Sequence, residues 1–196
     1  MGDVNNFKFF DDLIHSESEN IVLTSDIILD EDEEDQYSRG IEIDLNDLTI
    51  DGNGHTIDAM GKARIFKCIW RNILIKNIAL NNGLAIDGGA IYNKGNLKIM
   101  SSKISRNKSL NNGGAIYNLG EMVLIDSYIS ACLSKEGGGA IYNSRGELEI
   151  IDSKIISNTV KDSNFTRGGA ISNDNGRISI KNTFLSRCKK TMRCNI

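Results

Sequence analysis

Apolar and polar residues alternate with a period of two along most of the chain, as in Leu97-Lys98-Ile99. This period is typical of strands that are buried on one face, so it predicts short β-strands. Clusters of Gly, Asn and Ser separate the alternating runs and predict turns between them. A different pattern occurs at the start, where four apolar residues mark one face of a short helix. They are Phe7, Phe10, Leu13 and Ile14.

The segment Gly-Gly-Ala-Ile occurs four times, at spacings of 25, 25 and 30 residues. The copies begin at Gly88, Gly113, Gly138 and Gly168. Each continues to an Asn, a glycine, an apolar triplet, a small polar pair and an aliphatic residue three positions before Asn or Cys. A unit of three short strands without a helix cannot bury its apolar face alone, so the copies must stack. We therefore predict an all-β, parallel β-helix whose equivalent residues lie about 4.8 Å apart along the axis.

The alternation also assigns each column of equivalent residues to the inside or the outside of the stack. The columns that contain Ile91, Leu97, Ile99 and Ile104 point inward and are expected to form the core. An asparagine two residues after the first inward isoleucine points inward as well. Because a buried amide needs hydrogen-bond partners, we expect a structural ladder of stacked side chains. Its members are Asn93, Asn118, Asn143 and Asn173.

The residue between the inward isoleucine and the asparagine points outward, and it is a tyrosine in three copies. These residues are Tyr92, Tyr117 and Tyr142. Stacked along the axis they would form an exposed aromatic strip, and aromatic rings with hydroxyl tips suit sugars or a partner protein. The alternative is a tyrosine stack that only protects the sheet face beside neighbouring alanines. The binding-site hypothesis for this chain rests on this column.

The remaining segments fit a single domain over residues 1–196. Residues 1–20 are expected to cap the amino-terminal end with the short helix as a lid, and residues 21–87 form irregular first coils. Within them, Ile78 and Asn81 are aligned with Ile104 and Asn107. The four glycine-led coils occupy residues 88–188, and residues 189–196 form a tail that leaves the last strand edge unpaired.

The Gly-Gly-Ala-Ile repeats, with their aliphatic-x-x-Asn elements, resemble two families of surface proteins. The repeats are similar to those of chlamydial polymorphic outer-membrane proteins. The stretch Asn20 to Asn82 resembles the adhesin-like proteins of methanogenic archaea. The resemblance covers about Asn20 to Cys188 and implies a right-handed parallel β-helix of the pectate-lyase-like type, displayed extracellularly on the cell surface. This chain departs from the pattern in having Ile or Leu in place of Phe, and Cys132 and Cys188 in place of Asn.

Composition and charge argue against some classes of function for this chain. The net charge of −3 argues against nucleic acid as a partner, which would require a basic stripe. No apolar run is long enough for a transmembrane segment, since Lys67, Arg71 and Lys76 interrupt the best one. The amino terminus is acidic and contains no signal peptide. A surface location therefore follows from the resemblance alone, and it requires that the chain be part of a longer precursor or a truncated product.

Candidate chemical groups are few, and we expect no cofactor, no metal site and no catalytic residue. The acidic run from Asp30 to Asp35 lacks the ligand spacing of a calcium loop and is expected to be a solvated loop. Asp126 and Asp152 are neighbours in one column and could hold a cation or act as an acid and a base. Hydrogen bonding to turn amides is the alternative, because the same column also contains Ser and Asn.

The histidines and cysteines show no ligand spacing. His15 and His55 are far apart in sequence. Two rungs separate Cys132 from Cys188, about 9.6 Å, which is too far for a disulfide, so reduced thiols are expected. Asn164-Phe165-Thr166 would be a glycosylation site in an exported protein and is otherwise a loop.

Three functions remain open. The first is a non-enzymatic, adhesin-like module that presents repeated columns to surface glycans or proteins. The second is a polysaccharide lyase or glycoside hydrolase, because the β-helix also carries pectin-degrading enzymes. The third is a truncated fragment without an independent role. The oligomeric state does not follow from the sequence.

Overall fold

The structure is a computed structural model that describes residues 5–16, 18–161 and 168–191. In these residues the chain forms a parallel β-solenoid of about six turns, with few helices. The predicted fold class, including the short capping helix, is confirmed.

Four parallel sheets run along the solenoid, and each coil adds one strand to a sheet. The eight-stranded sheet contains Asn5–Asn6, Ile27–Ile28, Thr56–Asp58, Ala79–Asn81, Lys103–Ser105, Tyr128–Ser130, Lys154–Ile156 and Phe184–Ser186. The seven-stranded sheet contains Asn20–Val22, Thr49–Asp51, Ile73–Lys76, Asn96–Met100, Glu121–Ile125, Glu147–Ile151 and Arg177–Lys181. The six-stranded sheet contains Ile41–Ile43, Phe66–Cys68, Ile91–Asn93, Ile116–Asn118, Ile141–Ser144 and Ile171–Asp174. The five-stranded sheet contains Leu84–Ala85, Lys108–Ser109, Leu133–Ser134, Thr159–Lys161 and Lys189–Thr191.

A glycine-led coil has four strands, whereas the repeat predicted three. The chain passes through the six-, seven-, eight- and five-stranded sheets in that order. The additional strand, such as Lys108–Ser109, is only two or three residues long. Its inward position is a serine in two coils, at Ser109 and Ser134, so no apolar alternation marks it in the sequence.

The core columns are in register from coil to coil. Ile91 pairs with Ile116, and Ile116 with Ile141, and all three are fully buried. One alignment in the first coils is wrong by two residues, because Ile104 pairs with Leu80 and not with Ile78. The position of Asn107 is consequently taken by Gly83, whose amide donates to the Asn107 Oδ1.

The two residues of the small polar pair, at the corner after each long strand, have different structural roles. The first has a left-handed backbone, with φ of 46° at both Ser101 and Asp126. The second is buried, and its hydroxyl accepts from the previous coil, as when the Ser102 amide donates to the Ser127 Oγ at 3.1 Å. Short polar side chains tolerate the left-handed turn and satisfy its backbone groups, which explains this pair.

The amino-terminal end of the core is covered by the helix Phe7–Ile14, as predicted. Phe7, Phe10 and Ile14 are fully buried, and the Phe10 and Phe66 rings meet edge to face at 6.0 Å. Among the residues that the structure describes, no helix has the length and apolar character required to cross a bilayer.

The acidic run beside this helix is not the solvated loop that the sequence predicted. Glu31–Glu33 forms a 3₁₀ turn, Glu34–Tyr37 forms a helical turn, and Glu33 is buried. The Glu33 carboxylate accepts from the Phe7 amide at 3.1 Å and from the Lys8 amide at 2.8 Å. A carboxylate at a helix amino terminus satisfies free amides and matches the helix dipole. Glu33, one acid of the run, therefore holds the capping helix in place.

The last described coil is much more exposed than the coils before it. Its apolar residues Ile178, Ile180 and Leu185 are about 40 % exposed, whereas the equivalent Leu148, Ile150 and Ile155 are buried.

Candidate binding columns on the outer surface

Stacked asparagines connect the four glycine-led coils inside the corner between two sheets. Each Nδ2 donates to the Oδ1 of the next asparagine at 2.7 Å, from Asn93 through Asn118 and Asn143 to Asn173. The same groups also donate to backbone carbonyls at the turn, such as that of Gly95. Asn93, Asn118 and Asn143 are fully buried, and Asn173 is exposed. With their hydrogen bonds made within the ladder and its turn, these side chains hold the fold and do not face a ligand.

A second column consists of Asn107, Cys132, Asn158 and Cys188, so that asparagine and cysteine alternate from coil to coil. The Asn107 Nδ2 lies 4.0 Å from the Cys132 Sγ, and the Cys132 amide donates to the Asn158 Oδ1 at 2.9 Å. Cys68, Cys132 and Cys188 are free thiols. Burial raises the pKa of Cys68 and Cys132 to about 12, so both remain protonated at neutral pH and are poor metal ligands.

The three tyrosines form one continuous stack. The rings of Tyr92 and Tyr117 lie 5.4 Å apart and 4° from parallel, and those of Tyr117 and Tyr142 lie 5.4 Å apart and 7° from parallel. The predicted exposed strip is wrong for Tyr142, which is only 3 % exposed and donates from its hydroxyl to Asp174 at 3.1 Å. Tyr92 and Tyr117 are half-buried. Neighbouring side chains and coils cover more of an outward column than the alternation alone indicates.

Arg64 closes the free end of the tyrosine stack. Its guanidinium carbon lies 5.1 Å from the centre of the Tyr92 ring. Its nitrogens donate to the carbonyls of Gly88, Arg39 and Asp87 at 2.8 to 3.1 Å. Burial lowers the pKa of Arg64, although the guanidinium remains a cation at neutral pH. A cation held in this way above an aromatic ring stabilises the stack.

The stack offers ring edges and hydroxyl groups to a ligand, because neighbouring rings and Arg64 occupy the ring faces. Burial raises the pKa of Tyr92 and of Tyr117, so both phenols stay neutral and can donate hydrogen bonds near pH 7. The strip is therefore suited to polar contact along its edge, and not to face-on stacking of sugar rings.

An open polar groove of about 800 Å³ lies at the turn that follows the tyrosine strands. Glycines occupy one wall in successive coils, at Gly95, Gly120 and Gly146, where the backbones of successive coils approach closely. A side chain at Gly95 would collide with the backbone oxygen of Trp70, which fixes glycine there. Lys94 lines the groove and also lies over the Tyr92 ring, with its Nζ 5.6 Å from the ring centre. This lysine joins the tyrosine column and the groove into one surface.

The paired carboxylates lie on exposed left-handed turn positions. Asp126 accepts from the Ser101 hydroxyl at 3.0 Å, and Asp152 has a φ of 51°. Over residues 5–16, 18–161 and 168–191, no three His, Cys, Asp or Glu side chains come close enough together to hold a metal ion. The two histidines each meet an acid: His15 lies 3.0 Å from Asp44, and His55 lies 3.3 Å from Asp26. The sequon at Asn164 lies outside the described residues.

Sequence reasoning missed two side chains that shape this surface and its support. Arg64 and Glu33 precede the glycine-led repeats, so no column of equivalent residues pointed to them. A signal for Glu33 existed in its spacing of three from Asp30, the pattern of a capping box. Nothing in the local sequence indicates that Arg64 packs on Tyr92, which follows it by 28 residues.

A family profile for the Chlamydia polymorphic membrane protein repeat matches residues 101–119. This stretch runs from the second half of one glycine-led coil into the first strand of the next and includes Tyr117 and Asn118. Searches of the curated proteins and of the solved structures gave no significant match. The similarity to the chlamydial repeat is thus confirmed over these residues, while the resemblance to methanogen adhesin-like proteins stays a prediction. The repeat and the β-solenoid together are consistent with a surface adhesin-like module.

Proposed function

We propose that the protein is a non-enzymatic, surface-displayed module that binds glycans or proteins through the edge of the tyrosine stack and the adjoining polar groove. The observation that carries the proposal is Lys94, which links the Tyr92 ring to the groove. Ligand hydroxyl or carbonyl groups would accept from the Tyr92 and Tyr117 hydroxyls while the ligand lies along the side-chain-free glycine wall. Polar groups at fixed positions in a concave site are what give a binding site its orientation and specificity.

The rigid stacking of the coils supports this proposal. A tyrosine pair in strict register fixes two hydroxyls without the loss of side-chain freedom that binding otherwise costs. The match to the polymorphic membrane protein repeat covers Tyr117 itself, and it favours a surface location.

The test is binding of the full chain to an array of surface glycans, followed by measurement of the affinity for each glycan that is bound. Tyr92→Phe combined with Tyr117→Phe removes both hydroxyls and keeps the ring stack, so we expect at least a fivefold loss of affinity with an unchanged melting temperature. Thr24→Val combined with Ser179→Ala removes two exposed hydroxyls elsewhere and should leave the affinity unchanged. Equal binding by both double variants and the parent chain would remove the tyrosine column from consideration.

The proposal also predicts an absence of turnover. Incubation with polygalacturonate and calcium should release no unsaturated oligosaccharide and no reducing ends. Measurable turnover that is lost in Asp126→Asn would instead establish the lyase or hydrolase function.

A further inference from the structure

Charge is divided unevenly around the four glycine-led coils. The segments that supply the eight- and five-stranded sheets contain Lys and Arg but no Asp or Glu; they are residues 103–110, 128–135, 154–161 and 184–191. Their exposed cations are Lys103, Arg106, Lys108, Lys135, Lys154, Lys161, Arg187 and Lys189. We call this surface the basic face. It occurs in a protein whose net charge is −3, so the rest of the molecule carries the excess of acid.

The seven-stranded sheet shows the opposite arrangement. Its outward positions include Glu121, Glu147 and Glu149. Two cations on this side are paired, since Arg177 lies 3.0 Å from Glu147 and Lys181 lies 2.7 Å from Glu149, while Lys98 is exposed on the same sheet. The charges of the two paired cations are therefore largely neutralised within the protein.

The cations of the basic face differ from these in their contacts. In the part of the chain that the structure describes, none of the eight forms an ion pair with a carboxylate. Arg106 donates to the Asn82 side chain at 3.2 Å, a neutral group that leaves the charge in place. Asp126 adjoins the face, in one shallow pocket with Lys103 and Tyr128, and it accepts from the Ser101 hydroxyl. An excess of cations on a rigid scaffold attracts ligands of the opposite sign even when the net charge of the protein does not.

Aromatic rings alternate with the cations in the column at the start of the eight-stranded sheet. Lys103 pairs with Tyr128, Tyr128 with Lys154, and Lys154 with Phe184. Phe184 is 58 % exposed. Lys103 and Lys154 are two rungs apart, about 9.6 Å by the spacing of parallel strands. A ring stands between them, where the apolar face of a sugar could pack.

The other groups of this face favour an acidic glycan. Its carboxylates or sulfates would meet the cations, and its sugar rings could pack on Tyr128 and Phe184. Its hydroxyls would also find partners in the outward serines of this face, such as Ser130 and Ser186.

We propose that the basic face binds an acidic glycan, a polysaccharide with carboxylate or sulfate groups, along the axis of the solenoid. The inference deepens the proposed function, on which it rests, by naming a ligand class and a second surface separate from the tyrosine column.

The experiment measures the affinity of the full chain for four probes of matched length by biolayer interferometry. Oligogalacturonate and sulfated dextran carry the two acid groups, fully methyl-esterified oligogalacturonate is the neutral control, and a single-stranded oligodeoxynucleotide represents nucleic acid. We expect binding of at least one acidic glycan, at least tenfold tighter than the methyl ester, that weakens as the salt concentration rises. Which of the two binds identifies the acid group.

Two triple variants place the site. Lys103→Glu, Lys108→Glu and Lys154→Glu together should weaken acidic-glycan binding at least tenfold. Lys98→Glu, Arg177→Glu and Lys181→Glu change the net charge equally at exposed positions of the seven-stranded sheet, outside both the basic face and the groove, and should weaken it less than twofold. Circular dichroism of both variants verifies that the solenoid is intact.

Several results would overturn the assignment. These are equal losses in the two triple variants, no preference for acidic over esterified probes, or tighter binding of the oligodeoxynucleotide than of both acidic glycans. Failure of the proposed function is distinguishable, since it would appear as turnover of oligogalacturonate or as indifference to the Tyr92→Phe, Tyr117→Phe double variant. Neither result depends on the lysines of the basic face.

Discussion

The first coils and the glycine-led coils reach the same fold by different means. In residues 88–161 and 168–191 two corners are closed by repeated ladders, in which one side-chain type stacks on itself from coil to coil. In residues 18–87 each corner has its own contacts, such as Asp51 with Asn53 and Asn77, or His55 with Asp26. A repeated ladder makes successive coils structurally equivalent. Individual contacts let the first coils differ from one another and pack against the capping helix.

The two regions also differ in how far the loss of one contact should destabilise the solenoid. An internal rung of a ladder has partners on both sides, so its loss affects two coils. A contact such as that of Glu33 with the capping helix affects only the end of the solenoid. Substitutions in the two regions should therefore differ in both the size and the reach of their effects.

The largest effect is expected from Ile116→Asp in the middle of the glycine-led coils. Ile116 is fully buried between Ile91 and Ile141, so the variant would place an unpaired carboxylate in the core. We expect the free energy of unfolding to fall by more than about 4 kcal/mol, measured by urea denaturation. Lys98→Asp, at an exposed position on a neighbouring strand, should change it by less than about 0.5 kcal/mol. An unchanged transition in Ile116→Asp would refute the inward assignment of this column.

The next effect tests the ladder itself. Asn118→Ala removes an internal rung and leaves the Asn93 Nδ2 and the Asn143 Oδ1 without their partner, at an expected cost of about 2 to 4 kcal/mol. Asn173→Ala removes the exposed last rung and should cost about 1 kcal/mol. Thermal denaturation of the two variants gives the comparison, and equal destabilisation would show that the ladder does not act through internal rungs.

A smaller, local effect is expected at the lid. Glu33→Gln replaces one acceptor oxygen by a donor that faces the amide groups of Phe7, Lys8 and Asp30. Hydrogen exchange should speed up in the helix Phe7–Ile14 and remain unchanged in Ile91–Asn93, with a loss of about 1 to 3 kcal/mol. Glu31→Gln, at an exposed position of the same acidic run, should have no effect. Uniform acceleration through the glycine-led coils would contradict the local role.

The smallest effect is a pH dependence of the same lid. Partial burial lowers the pKa of His15, but its bonds to Asp11 and Asp44 outweigh this and raise the pKa above 6.5. The folded state therefore favours the protonated ring, and this stabilisation is present below about pH 6.5 and is lost as the pH rises through the folded pKa. Exchange in the capping helix should be slower at pH 5.5 than at pH 8.5 after correction for intrinsic rates, and His15→Gln should abolish the difference. An identical difference in the variant would exclude His15 as its source.

Sequence reasoning was reliable where a column repeats. The inward isoleucines share one register, and the asparagines two residues later are joined by the hydrogen bonds that burial of an amide requires. The apolar stripe at Phe7, Phe10 and Ile14 also indicated the lid. These features depend on local periodicity, which can be seen directly in the sequence.

Reasoning failed where a position depends on a distant segment. Tyr142 alternates outward like Tyr92, yet it is buried, and its hydroxyl meets Asp174 in the next coil. Leu80 and not Ile78 occupies the position equivalent to Ile104, although both side chains are buried in the core. The acidic run gained a buried member only because the capping helix presents free amides to Glu33.

Local patterns in the amino-acid sequence are enough to specify the coil, its inward columns and the need for stacking, because a period of two and a repeated glycine pair constrain the backbone locally. Which outward residues remain accessible, and which charges find partners, depends on the folded solenoid. Exposure and pairing depend on side chains that are a full coil or more apart in the chain, such as Arg64 above Tyr92 and Arg177 beside Glu147. The surface chemistry of this solenoid is therefore a property of its register.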